Sequence, residues 1–297
     1  MAARDCVLFV THRWSPSIAA HYRRLQRQAG HLLDVLLVYQ GEAVPAGMTP
    51  DIVVAGGEIA AIFPNRIAEG GSNWPFHSAD LVWMTAAGMA PASSYERVWA
   101  LEYDVDFSGD WATFFGQAVN YDGDLLGVDL RPLSVTPGWW NAGGYRQPGG
   151  LPEPLIGFFP IVCASRALIK AYRSELERED WGGHFEMVLP SFAASRGFLV
   201  REIGGDTDHT PCERRGLHYT TPRMVGKVAA TFTFRPPRSF RYYVEAPGVF
   251  RQPDRLYHPV KSDLPLATRL AFRWKHLGDR WVLVRNRLLR RDPPLRH

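Results

Sequence analysis

The stretch 96-ERVWALEYDVDFSG-109 decides how the rest of the chain is read. Glu96 to Tyr103 is short, apolar and β-branched or aromatic at its centre, which predicts a buried strand. It runs without a break into Asp104-Val105-Asp106, so a pair of carboxylates follows the strand's carboxyl end. Ligands of open α/β sheets bind there. Two hard oxygen donors in that position suit Mg²⁺ or Mn²⁺, whose remaining positions diphosphate oxygens and water can fill. Glu102, Asp104, Asp106 and Asp110 have no Lys or Arg beside them in sequence, and such a cluster calls for a cation. Ser108 and Gly109 allow a close turn.

Working towards the N-terminus, Cys6–Thr11 (CVLFVT) predicts a first strand. Ser17–Gln28 has helical spacing and stops at Gly30, and Leu33–Tyr39 (LDVLLVY) predicts a second buried strand, with a short third at Asp51–Val54. Residues 63–80 read as irregular and aromatic. Towards the C-terminus come a strand at Asp124–Asp129, a long Gly/Pro/Trp-rich loop from Pro132 to Pro154, and a strand at Ile156–Cys163. Helices near Ser165–Glu179 and His184–Arg196 follow, and then a strand at Phe198–Ile203. Alternation of strands and helices predicts an α/β fold with a largely parallel, Rossmann-type sheet flanked by helices. A loop as long as 132–154 in a compact enzyme suggests a lid or binding loop.

Trp99 to Gly109 resembles the strand-plus-DxD segment of GT-A glycosyltransferases, within uncharacterised glycosyltransferase-like families. That resemblance extends the expectation to a GT-A-like domain over residues 1–260. It implies a metal-dependent enzyme that moves a sugar from a nucleotide-sugar donor, a UDP-sugar first, to a saccharide or lipid-linked acceptor. Asp104 and Asp106 are then metal ligands for Mn²⁺ or Mg²⁺. His258, in Tyr257-His-Pro-Val-Lys261, would complete the metal shell, and Lys261 would meet the diphosphate. His209, with Asp206 and Asp208 beside it, competes for that role. Thr11 and Arg13, after the first strand, fall where such enzymes hold the nucleotide, so Thr11, Arg13, Asp104 and Lys261 are the expected donor-binding set. Trp181-Gly-Gly-His-Phe-Glu186 falls where a helix presents its base to the acceptor hydroxyl. That makes Glu186 the expected general base of an inverting transfer, with His184 as its competitor.

Composition narrows the alternatives. Of 297 residues, 46% are hydrophobic and 22% charged, an ordinary folded composition. Ten Trp add flat apolar faces of the kind that pack on sugar rings. Cys6, Cys163 and Cys212 have no disulfide or zinc spacing. Residues 261–297 hold ten Lys/Arg against three Asp/Glu, so the net charge of +4 belongs to the tail and the body is no nucleic-acid binder. The segment 264–291 spaces Leu270, Trp274, Leu277, Trp281, Val284 and Leu288 helically between basic residues. It is expected to be a basic amphipathic extension (261–297) able to lie on an anionic membrane surface. No stretch has the make-up of a signal peptide or a membrane span, so the expected location is cytoplasmic, peripheral at the inner membrane face if that tail docks.

Two other readings use the same features. A sugar-phosphate nucleotidyltransferase shares the sheet and metal, but it needs a Gly-rich basic loop where this chain has Thr11-His-Arg-Trp-Ser-Pro-Ser17. A carbohydrate- or partner-binding protein on a GT-A-like fold needs no base at all. No dinucleotide fingerprint or P-loop is present in the sequence.

Overall fold

A computed structural model describes residues 5–136, 139, 141–176, 178, 180–220, 231–232, 252–260 and positions 267, 270 and 274. These fall into two compact units. Residues 1–103 and 110–218 make the first, and residues 104–109 and 219–297 the second.

In the first unit the order is β1 (Cys6–Thr11), α1 (Pro16–Ala29), β2 (Asp34–Gln40), β3 (Ile52–Val54), α2 (Gly56–Ile62), α3 (Pro64–Gly70), α4 (Trp74–His77), α5 (Asp80–Gly88) and β4 (Arg97–Glu102). The second unit contributes β5 (Asp106–Phe107). The first resumes with α6 (Trp111–Ala118), β6 (Leu125–Pro132), β7 (Leu155–Ser165), α7 (Arg166–Leu176), α8 (Phe185–Ser195) and β8 (Val200–Glu202), and β9 (Leu256–Tyr257) belongs to the second. The expected elements thus recur with ends shifted by a few residues. Residues 63–80 differ, being largely helical. Pro64 opens α3 in the first helical turn, and Gly71, at φ 55°, closes it.

Seven strands form one mixed sheet in the order β3-β2-β1-β4-β7-β6-β8. β1 is parallel to β2 and β4, β2 to β3, and β6 to β8, whereas β7 runs antiparallel to β4 and β6. The sheet is therefore mostly parallel with one reversed strand. In consequence the carboxyl ends of β1, β4, β6 and β8 lie along one edge.

Both faces are covered, so the strands read as continuous apolar runs. Cys6, Leu8, Val98 and Ala100 share a buried core with Leu81 and Val82 of α5, Leu168 of α7 and Val188 of α8. On the opposite face, Trp99 meets Phe114 and Phe115 of α6 edge-on at 6.1 and 5.7 Å. The fully buried Trp99 is worth about 3–5 kcal/mol against truncation to Ala.

Arg166 fastens the connection between α5 and β4. Its guanidinium donates to the carbonyls of Ala87 (2.6 Å), Ala92 (2.6 Å) and Tyr95 (2.9 Å). In the described part of the second unit, β5 pairs with β9 (Asp106 with Tyr257, Phe107 with Leu256), and Phe232 forms a bridge with His258. Of the tail, Ala267, Leu270 and Trp274 are helical and exposed; the rest of 261–297, Lys261 included, lies outside the described residues. Among the described residues, no helix is long and apolar enough to cross a membrane.

Asp80, at the start of α5, is fully buried and accepts from the Tyr172 hydroxyl at 2.9 Å. Burial pushes its carboxyl up to about 6, against the opposing charge of Arg66 and the Tyr172 hydrogen bond. A folded-state pKa above the unfolded value favours the fold while the group is protonated. That stability is full below about pH 4 and is lost as pH rises through about 6. Asp80→Asn keeps an acceptor for Tyr172 and removes the dependence. The variant should gain on the parent between pH 4 and 7, by up to about 3 kcal/mol at roughly 1.4 kcal/mol per pKa unit. Melting temperatures at pH 5 and pH 8 check this; an equal difference at both would contradict it.

Candidate functional site

In the first unit the site builds along the carboxyl edge of the sheet. Register pairs Val10 with Glu102, so the turn after β1 and the end of β4 are neighbours there. Thr11 is buried, and its Oγ1 donates to the Arg13 carbonyl (2.5 Å) and accepts from the Arg13 N–H (3.2 Å), which fixes the turn. Arg13 itself is exposed. Its neighbour His12 meets Tyr103 edge-on at 5.2 Å.

Two strands further along the edge, β6 shifts register twice, between Leu126 and Val128 and between Val128 and Arg131. Such bulges re-aim a side chain and are frequent beside active sites. Here Asp129 takes φ 54°, an unusual value for a residue with a side chain. The buried Glu202 of β8 holds that conformation by accepting the Asp129 N–H at 3.1 Å. Asp129 Oδ2 in turn pairs with Arg131 Nη2 at 2.7 Å.

α8 delivers the carboxyl that the sequence singles out. The turn before it carries two glycines. A Cβ on Gly182 would collide with the Arg146 guanidinium, and one on Gly183, at φ 102°, would lie 2.7 Å from the Tyr145 Cα. His184 then caps the helix, its Nδ1 accepting from the Glu186 N–H at 3.3 Å. An acceptor Nδ1 leaves the ring proton on Nε2. Phe76, His77, Trp139 and Phe185 pack round the imidazole with ring centres 4.9–5.9 Å away. Burial first, and then His77 and Arg66, lower its pKa to about 3. His184 is therefore a neutral cap at physiological pH.

Glu186, in the first turn of α8, is buried. Its pKa is raised well above the usual carboxylate range, by burial and then by the charge of Glu102, with a further contribution from Asp129. The Asn141 side chain and the Phe159 backbone N–H work the other way. Three elements and the 132–154 loop thus bring Glu102, Asp129, Asn141 and Glu186 into one electrostatic group. A carboxyl of raised pKa is a stronger base once ionised, which suits it to taking a proton. The sequence reading did not single out Asn141 or Asp129 as site residues. Asp129 at the end of LLGVD had the same signal as Asp104, a carboxylate closing a buried strand. Asn141, inside a long loop, had none.

In the second unit Asp104 and His258 come together and Asp106 turns aside. His258 Nε2 lies 3.7 Å from Asp104 Oδ1, and both side chains are buried. The Val260 N–H donates to the Asp104 carbonyl at 2.6 Å, and the His258 N–H to the Thr231 carbonyl at 3.0 Å. A carboxylate oxygen and an imidazole nitrogen at that separation are a donor pair that one Mn²⁺ or Mg²⁺ ion can accept. Asp106 instead directs Oδ1 to its neighbour's backbone, accepting from the Phe107 N–H at 2.6 Å. A Cβ on Gly109 would meet the Asp254 carboxylate. His209, the competing histidine, sits in the first unit, where its carbonyl accepts from the Glu202 N–H at 3.0 Å.

No family model and no curated protein matches the chain. Among solved structures it is similar to the mannosyltransferase Ktr4p from S. cerevisiae. That superposition has 11% identity and a TM-score of 0.40, and covers 68% of each chain. It is also similar to Ktr4p in complex with GDP, with 10% identity and a TM-score of 0.36 over 68% of this chain and 69% of the other. Superpositions this loose carry no residue of either structure across, so the reading below stands on this chain's own groups.

Gly183→Ala should destabilise by about 1–3 kcal/mol, because it adds a Cβ at a positive φ against the Tyr145 backbone. A melting temperature lowered by several degrees would support this; one within a degree of the parent would show that the turn tolerates a side chain.

Proposed function

We propose that this protein is a metal-dependent glycosyltransferase that passes a sugar from a nucleotide-sugar donor to a saccharide or lipid-linked acceptor. The observation that carries the reading is Glu186: a buried carboxyl of raised pKa at the start of a helix, grouped with Glu102, Asp129 and Asn141. In the reaction an acceptor hydroxyl attacks the anomeric carbon as the bond from that carbon to the diphosphate oxygen breaks. Glu186, as carboxylate, takes the hydroxyl proton in that step, and direct attack inverts the anomeric centre. The Asn141 side chain and the Phe159 N–H offset part of the cost of ionising it.

On the donor side, Thr11 fixes the turn that carries Arg13, whose guanidinium suits a phosphate. Asp104 and His258 would hold the divalent ion, which when bound offsets charge on the departing nucleoside diphosphate. Asp106 then acts chiefly by capping its own turn. Lys261 remains a proposed partner of the diphosphate, and UDP the first nucleotide to try.

Glu186→Gln removes the proton acceptor and conserves shape. It should lower kcat by roughly 10²- to 10⁴-fold with little change in donor affinity. The parent's rate should rise with pH on an acid limb displaced above the ordinary carboxylate range, and that limb should vanish in the variant. Equal kcat in parent and variant would sink the base assignment. In a thermal-shift assay with Mn²⁺ and nucleoside diphosphates, saturating ligand should raise stability by about 2.7 kcal/mol at a hundred times its Kd. Asp104→Ala should abolish the metal-dependent part and Asp106→Ala should weaken it. An undiminished shift in Asp104→Ala would remove Asp104 from the metal site.

A further inference from the structure

A cleft in the first unit, away from the Glu186 electrostatic group in its lining, has a chemistry of its own. It measures about 290 Å³ and is lined by residues of α3, by Arg146 of the 132–154 loop, by the end of α7 and by Trp181. That volume is at the small end for ligand sites and suits one small residue.

Two of its walls are buried groups that can only donate. Arg66, 2% exposed, uses Nη1 on the Glu69 carboxylate and Nη2 on the Gly183 carbonyl (2.8 Å) and Ser78 Oγ (3.3 Å), while its Nε–H has no acceptor. Trp181, also 2% exposed, has an indole Nε1–H without an acceptor. Folded proteins leave few buried donors unmatched, and both of these belong to residues that line the cleft.

The local charge is cationic. Arg66 and Arg146 face one carboxylate, Glu69, and that carboxylate is already in use. One oxygen pairs with Arg66; the other accepts from the Gly183 N–H (2.8 Å) and Arg146 Nη1 (3.2 Å). Arg146 is half-exposed, with its side chain 59% accessible. It is thus the cation best able to swing onto an incoming anion without unfolding anything. Its backbone pairs with that of Gly182 (Arg146 N–H to Gly182 carbonyl, 2.9 Å; Gly182 N–H to Arg146 carbonyl, 3.1 Å). A ligand gripped by Arg146 would therefore be registered on the turn that leads into Glu186.

We propose that this cleft is an anion subsite for the acceptor, taking a carboxylate or phosphate group carried by the acceptor saccharide. Its assignment to the acceptor rests on the transferase reading above; anion binding in the cleft does not.

The test is calorimetric titration of the full chain, without metal or nucleotide, against methyl glucuronide, glucose 6-phosphate, inorganic phosphate and neutral methyl glucoside. At least one charged sugar should bind tenfold or more tightly than the neutral one, and which of the two does so names the anionic group. Arg146→Ala should weaken that binding at least tenfold. Trp181→Phe, which removes the donor and retains most of the ring, should weaken it several-fold. Glu186→Gln should leave it unchanged even though it stops turnover, so loss of catalysis and loss of this subsite remain distinguishable. The proposal is overturned if no charged sugar binds, if the neutral glucoside binds equally well, if Arg146→Ala binds as the parent does, or if free phosphate matches the sugar phosphate.

Discussion

The parallel pairing of β1 with β4, in the register that sets Val10 beside Glu102, is the constraint on which the first unit's site depends. It makes the turn after β1 and the end of β4 share one edge, and β6 reaches the same edge because the reversed β7 lies between β4 and β6. A slip of one residue would turn every apolar side chain of a strand to the opposite face, and here both faces are packed. Register is therefore held from both sides. The edge it creates is where backbone termini, carboxylates and a helix start converge.

On that edge the protein keeps carboxyls that do not favour one another. Burial, and then the charges of Glu102 and Asp129, raise the cost of ionising Glu186. Asn141 and the Phe159 N–H offset part of this, and Arg131 neutralises Asp129. The bulge in β6 and the positive φ of Asp129 are local expense in the same cause, held in place by the buried Glu202. A fold does not gain stability from such a group; groups of strongly raised pKa are instead common where proton transfer is needed.

Much of this was legible in the sequence, and the reasons are specific. Continuous apolar runs such as CVLFVT and LDVLLVY gave β1 and β2 because strands buried on both faces have no polar alternation to obscure them. Gly183, just before His184, marked a backbone requirement that the structure shows as a φ of 102°. Residues 63–80 misread as irregular because aromatic and Gly content hid short helices whose Pro and Gly ends were the better signal. Asn141 escaped because a loop residue's partner depends on long-range folding. So did the difference between Asp104 and Asp106, since spacing does not say which carboxylate turns back to cap its own chain. The cleft of Arg66, Arg146 and Trp181 joins residues 35 to 115 positions apart, and no local pattern announces it.

The most direct measurement of the central claim is release of nucleoside diphosphate from a panel of nucleotide sugars, with Mn²⁺ or Mg²⁺ and with chelator. The account predicts release from one donor class, dependent on the divalent ion, faster with an acceptor saccharide present and lost in Glu186→Gln. No release from any nucleotide sugar, or release undiminished in that variant, would contradict it.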